Sequence, residues 1–281
     1  MESIGALAVE AMLYEVSATP KPGLVDRRNN GAHEDMDFFT FMSSAAALRK
    51  AFDEFAVIGK AHGSEPIENL LPHLQETGIS AEREMFRMTR RVNTHKGMIF
   101  SLGILTGAAG WALLRKEPLT AEHLGHLSAA MCNGICSKAY AGTAQKTHLT
   151  KGEAMYLKYG VTGARGEAES GFRTVREVAL PAYRELRAEG LDINDVLVGT
   201  LLHIMANSID TNILGRHDME TMHYVQRSSA AALEKGGVRT AEGRNAIDAM
   251  DEDFTARWIS PGGCADLFAV AHFLYEAEKN S

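Results

Sequence analysis

The chain has 281 residues, 45% of them hydrophobic and 23% charged, and a formal net charge of -7. This is an ordinary globular balance with enough length for a sizeable core. The acidic excess excludes generic nucleic-acid binding, which needs a basic face.

The opening stretch "MESIGALAVEAMLYEV" carries glutamates and no basic segment, so no signal peptide is expected. Three cysteines without a paired framework point to a reducing, cytoplasmic setting. Ile4, Leu7, Ala8, Ala11 and Met12 fall on one stripe and predict the first helix. A second is expected from about Asp37 to Lys60, and two shorter ones between Pro66 and Arg91. "MIFSLGILTGAAGWALLR" resembles a membrane span, yet it is shorter than the roughly 20 residues a span needs. It also contains three glycines, a serine and a threonine, and reads as a buried helix with no membrane role. Gly103 and Gly107 would let a neighbouring helix approach closely. Thr120 should N-cap the next helix, with Glu122 in its first turn. Further helices are expected over 151–159, 167–188, 192–207, 217–235, 240–257 and 263–278, Pro181 bending or dividing the long one. No run alternates apolar and polar residues with β-branched enrichment. The expectation is one all-α catalytic domain over 1–281, a compact multi-helix bundle.

The polar oddities fall in the connections. In "KPGLVD", Pro20 and Pro22 stop the first helix and Gly23 permits a turn. Lys21 and Asp26 are candidate ligand contacts, and the charge continues through His33, Asp35 and Asp37. Asp35 could help hold a hydrated Mg²⁺, whereas Asp37 is better placed as a helix cap. "NTHKG" sets His95 and Lys96 before the buried helix. Cations are mildly disfavoured at that end, so Lys96 is better explained by a bound anion, and His95 by a donor or acid role. In "TGARGEAESG", Glu167 and Glu169 stand beside Arg165. A regular helix would separate the two carboxylates by about 200°, whereas in a loop they could share a cation. On spacing alone, first-turn acidity accounts for them slightly better. "NSIDTN" brings Asp210 and Asn212 to the end of an apolar helix, where a carboxylate is disfavoured. In "SPGGCADL", Ser260 caps, Pro261 opens a helix, and Gly262 and Gly263 would let a ligand approach the backbone. His123, His126, Cys132 and Cys136 could suggest zinc, but on one continuous helix the two pairs face different ways. No Walker loop, G-x-S-x-G elbow or Rossmann fingerprint occurs. Residue chemistry alone leads to an all-α enzyme that binds a polyphosphate with a divalent metal.

These five junctions, in this order, resemble the triphosphoribosyl-dephospho-CoA synthases, from "EVSATPKPGLVDRRNNGAHEDMDF" through "NTHKGMIFSLG" and "GVTGARGEAESGF" to "DTN" and "SPGGCADLF". His217-Asp218 stand where that family commonly has glycines, and Cys264 where serine is frequent. The resemblance implies that the 2′-hydroxyl of 3′-dephospho-CoA attacks C1′ of ATP and adenine leaves. The triphosphate stays on the transferred sugar, giving the prosthetic-group precursor of citrate lyase or malonate decarboxylase. The product would pass to a holo-acyl-carrier-protein transferase. Our expected roles follow from that chemistry. Lys21, Lys96, Arg165 and Mg²⁺ neutralise the triphosphate, with Asp26, Asn212, Gly262 and Gly263 as further nucleotide contacts. Asp210 and Glu169 lie near the reacting ribose, His95 supplies the acid, and Glu167, Glu169 and Asp35 hold the metal. Two rival readings remain: an all-α Mg²⁺-dependent nucleotide pyrophosphohydrolase, and a non-catalytic nucleotide-binding partner of a lyase complex.

Overall fold

A computed structural model describes residues 3–280; residues 1, 2 and 281, the ends of the expected domain, lie outside the described residues. In chain order the helices are α1 (Ile4–Ser17), α2 (Phe38–Ala61), α3 (Leu70–Met88), α4 (Lys96–Arg115), α5 (Ala121–Met131), α6 (Ile135–Tyr140) and α7 (Lys151–Tyr159). They continue as α8 (Gly163–Glu169), α9 (Leu180–Ala188), α10 (Ile193–Asn207), α11 (Thr211–Arg216), α12 (Met219–Glu234), α13 (Ala241–Ala256) and α14 (Gly262–Glu278). Among the described residues there is no strand.

Several starts follow from capping chemistry. Asp37 accepts the Thr40 N–H at 2.8 Å and Thr40 reaches back to the Asp37 N–H, a reciprocal capping box for α2. Thr120 caps α5 by accepting the His123 N–H. Other boundaries depart from expectation. The segment after Pro66 forms a 3₁₀ turn and one long helix, α3, where two short helices were expected. The expected 167–188 helix breaks ten residues before Pro181, at Gly171 (φ 70°) and Phe172 (φ 56°). A Cβ on Gly171 would meet the Gly125 carbonyl oxygen at 2.5 Å, so the chain must turn there without a side chain. A π-helical turn, Val175–Ala179, then precedes Pro181, and its wider spacing accommodates the amide that proline lacks.

One apolar cluster draws residues from Ile4 to Ala277. Its axis is α4, whose most apolar window is 78% buried within the protein. The glycine expectation holds with a refinement. Gly110 packs against the Ala56 carbonyl of α2, and Gly59 of α2 packs against the Gly107 carbonyl; added Cβ atoms would sit at 2.2 and 1.9 Å. Gly103 and Gly107 instead receive the Phe55 ring and the Leu74 side chain. Close seating of α2 fixes the start of α4, and with it one wall of the cavity described next.

Candidate active site

All five junctions open on one cavity of about 700 Å³, a size suited to a small-molecule ligand. Lys21, His33 and Asp35 come from the first junction, and Asn93, Lys96 and Gly97 from the second. Thr162 and Glu167, then Asp210, Asn212 and Arg216, then Gly262, Gly263 and Asp266 complete the wall. The 20-residue α4 and the 17-residue α14 both begin here. Their unpaired N–H groups and positive dipole ends favour an anion.

Asp210 is the best-anchored carboxylate. Its Oδ1 accepts the N–H groups of Asn212 (2.7 Å) and Ile213 (3.4 Å), and its Oδ2 accepts that of Cys264 (2.8 Å). It therefore caps the start of the short α11, while α10 has already ended at Asn207. Its expected place at the disfavoured end of an apolar helix is corrected: it caps the start of the next one. Burial raises the Asp210 carboxyl above the usual aspartate range, and the three backbone donors oppose that rise. The glycines of α14 make room for these side chains. A Cβ on Gly263 would lie 3.1 Å from the Asp210 carboxylate, and one on Gly262 would lie 3.0 Å from Asn212 Nδ2.

At the cavity floor, Lys21 and Glu15 form an ion pair with side chains 1% and 2% exposed. Glu15 Oε2 has no partner among the described residues. His95 lies behind the wall, fully buried, with Nδ1 2.8 Å from Ser44 Oγ and its ring edge-on to Phe41. Burial, with the Lys21 charge adding to it, pulls its pKa down to about 3. A neutral imidazole outside the lining cannot hand a proton to a substrate, so the acid role expected for His95 is not met. At the mouth, Lys96 is 56% exposed and pairs with Glu82 at 2.9 Å. Asp35 is 62% exposed and meets His33 Nδ1 at 3.7 Å. His33 Nε2 is 2.9 Å from Ser260 Oγ, and Arg216 donates to the Ala32 carbonyl at 2.9 Å.

The two glutamates of α8 part company. Glu167 lines the cavity and accepts the hydroxyl and N–H of Thr174, and burial raises its carboxyl. Glu169 faces away and accepts the Gly134 N–H at 2.7 Å. The segment is a regular helix, so the 200° separation applies and the shared-cation arrangement does not form. Arg165 is exposed and lies outside the lining. Asp26 is buried but spends its oxygens on the backbone N–H groups of Arg28 (2.6 Å), Asn29 (3.1 Å) and Lys21 (2.9 Å), which shapes the turn. The expected ligand roles of Glu169, Arg165 and Asp26 therefore lack access to the cavity.

Sequence reasoning missed Glu15, Arg216 and Asp266 on the wall. Glu15 stands in the last turn of α1, where a carboxylate opposes the dipole, and that was a usable signal. The one continuous helix assumed in setting zinc aside is two, since α5 ends before Cys132 and Cys136 lies on α6. Among the described residues, one three-member group of potential metal ligands occurs, His62, Glu65 and His73, away from the cavity. Its two imidazoles stack at 3.8 Å and 18°, so their lone pairs run parallel without converging.

A family model described as "CitG: ATP:dephospho-CoA triphosphoribosyl transferase" matches residues 1–281. A protein of Photobacterium profundum named "Probable 2-(5''-triphosphoribosyl)-3'-dephosphocoenzyme-A synthase" is 41% identical over 278 residues, covering 99% of this chain and 88% of that one. A synthase of the same name without the qualifier, from Escherichia fergusonii, is 41% identical over 278 residues, with 99% and 92% covered. One from Klebsiella pneumoniae is 41% identical over 273 residues, with 97% and 90% covered. No solved structure shows a significant match. With the whole chain matched and two-fifths identity to named synthases, the chain belongs to the ATP:dephospho-CoA triphosphoribosyl transferase family.

Proposed function

We propose that this cavity transfers the 5-triphosphoribosyl group of ATP to the 2′-hydroxyl of 3′-dephospho-CoA, with adenine as the leaving group. The observation that carries the reading is the convergence of all five polar junctions on one cavity, with Asp210 fixed by three backbone N–H groups at its wall. A rigid carboxylate suits a reaction that builds positive charge at an anomeric carbon. Asp210 faces C1′, offsets that charge, and accepts the proton of the attacking hydroxyl. The starts of α4 and α14, with Lys96 and Arg216 at the wall, hold the triphosphate without cleaving it. Lys21 adds positive potential from the floor, its charge largely matched by Glu15.

Mg²⁺ fits the lining as a partly protein-held ion. The described cavity carboxylates form no tight ligand cluster, so the phosphates must supply most of its oxygens, as Mg²⁺ prefers. Asp35, exposed at the mouth, and Glu167 are the carboxylates that would hold it. The ion would neutralise triphosphate charge. The product serves a citrate lyase or malonate decarboxylase carrier protein through a holo-acyl-carrier-protein transferase. A reducing cytoplasm is the proposed setting, supported by three free cysteines.

The test is incubation with ATP, Mg²⁺ and dephospho-CoA, followed by chromatography with mass detection. Free adenine should appear in step with a heavier CoA derivative and without stoichiometric phosphate. Release of pyrophosphate or phosphate regardless of dephospho-CoA would establish the hydrolase reading, and no turnover the binding-module reading.

A further inference from the structure

We propose that Asp266 is the general acid that protonates the departing adenine, an inference that rests on the transfer reaction above. Asp266 is the fifth residue of α14, just past its first turn and two residues beyond the Cys264 N–H that holds Asp210. It lines the cavity, and its Oδ2 lies where a Cβ on Gly97 would come within 1.8 Å, so the glycine that starts α4 makes room for this carboxyl.

The reaction needs a proton donor because adenine leaves poorly as an anion. The other carboxyl and imidazole groups of the cavity are engaged, apart from Asp35, which is 62% exposed at the mouth. Glu15 is paired with Lys21, Glu167 accepts from Thr174, and His33 is bonded to Ser260. Asp210 is held by three backbone donors, which favour its ionised form. Asp266 has no hydrogen bond or ion pair among the described residues. Burial, with the carboxylates of Glu15 and Asp210 adding to it, pushes its acid form well above the usual aspartate range. Burial raises both carboxyls, but only Asp210 has backbone donors that oppose the rise, so of the two Asp266 is the better proton donor and Asp210 the better acceptor.

The step balances as follows. The 2′-oxygen bonds to C1′ while the C1′–N9 bond breaks, its electron pair leaving with adenine. The Asp266 proton goes to a ring nitrogen of adenine, and the hydroxyl proton goes to Asp210. Return of that proton from Asp210 to Asp266 resets the site.

The decisive experiment compares ATP with N7-methyl-ATP, whose purine is already cationic and departs as a neutral base. D266N should lower kcat with ATP by about 10²-fold or more while changing the rate with the methylated substrate only a few-fold. KM for ATP should stay within about threefold of wild type. If the loss with ATP is less than about tenfold greater than the loss with N7-methyl-ATP, the acid assignment is overturned. Should D266N fail to fold by circular dichroism, the same criterion applies to G97A, which displaces the carboxyl without removing it. Wild-type protein that releases no adenine would sink the transfer reading itself, an outcome separate from any variant's selectivity.

Discussion

The two ends of α4 use the same residue type for opposite purposes. At its start, Gly97 leaves space for the Asp266 carboxyl and opens backbone N–H groups to the cavity. Thirteen residues on, Gly110 leaves space for the α2 backbone at the Ala56 carbonyl, a contact that is buried and closed. One glycine serves chemistry and the other serves packing, so damage at the two ends should separate activity from stability.

The largest effect belongs to the chemical end. Asp210→Asn should lower kcat by roughly 10²–10⁴-fold, since an amide neither offsets charge at C1′ nor accepts a proton. A thermal melt showing the variant folded, with kcat near wild type, would remove Asp210 from the reaction. At the packing end, Gly59→Leu forces a side chain into the Gly107 carbonyl and should destabilise by about 3 kcal/mol or more. Urea unfolding measures this, and kcat per folded molecule should stay unchanged.

Behind the chemical end, His95 ties stability to pH. The unfolded chain takes up a proton near the ordinary value of 6.5, whereas the native imidazole stays neutral down to about 3. Acid therefore favours unfolding across that window, by at most about 1.4 kcal/mol per pH unit. The contribution is fully present above 6.5. His95→Gln should flatten the urea-derived stability slope between those limits, and an unchanged slope would assign the acid sensitivity elsewhere.

Two milder variants sharpen the boundary of the site. Lys96→Ala should raise KM for ATP by about tenfold and leave the melt nearly unaltered, because its exposed pair with Glu82 contributes little. A normal KM would make Lys96 structural. Glu169→Gln should be close to silent in rate and in Mg²⁺ dependence, since the amide oxygen can still accept the Gly134 N–H. A strong loss would return Glu169 to the site.

The helices were legible wherever a cap met a periodic run, as at Asp37 and Thr120. They were not legible where the element was a turn or two long. The six-residue α6 and α11 contain too few residues to display a period, and Asp210 was therefore read as an ending when it is a beginning. The site was legible as a set of junctions, because polar residues crowded where a buried helix had no use for them. Which side chains face inward was not. Glu167 and Glu169 differ by two positions and by the whole thickness of a helix. Asp266 drew no reading from the sequence, and only the opposing Gly97 marks it out.

The cavity wall joins segments from Glu15 to Asp266, and a molecule seated there would act as a reversible cross-link across the chain. Each helix end that frays would have to give up its share of the bound ligand. Occupancy should then suppress local opening at widely separated places together and leave whole-chain unfolding as the main escape. Substrate would make the protein more cooperative as well as more stable.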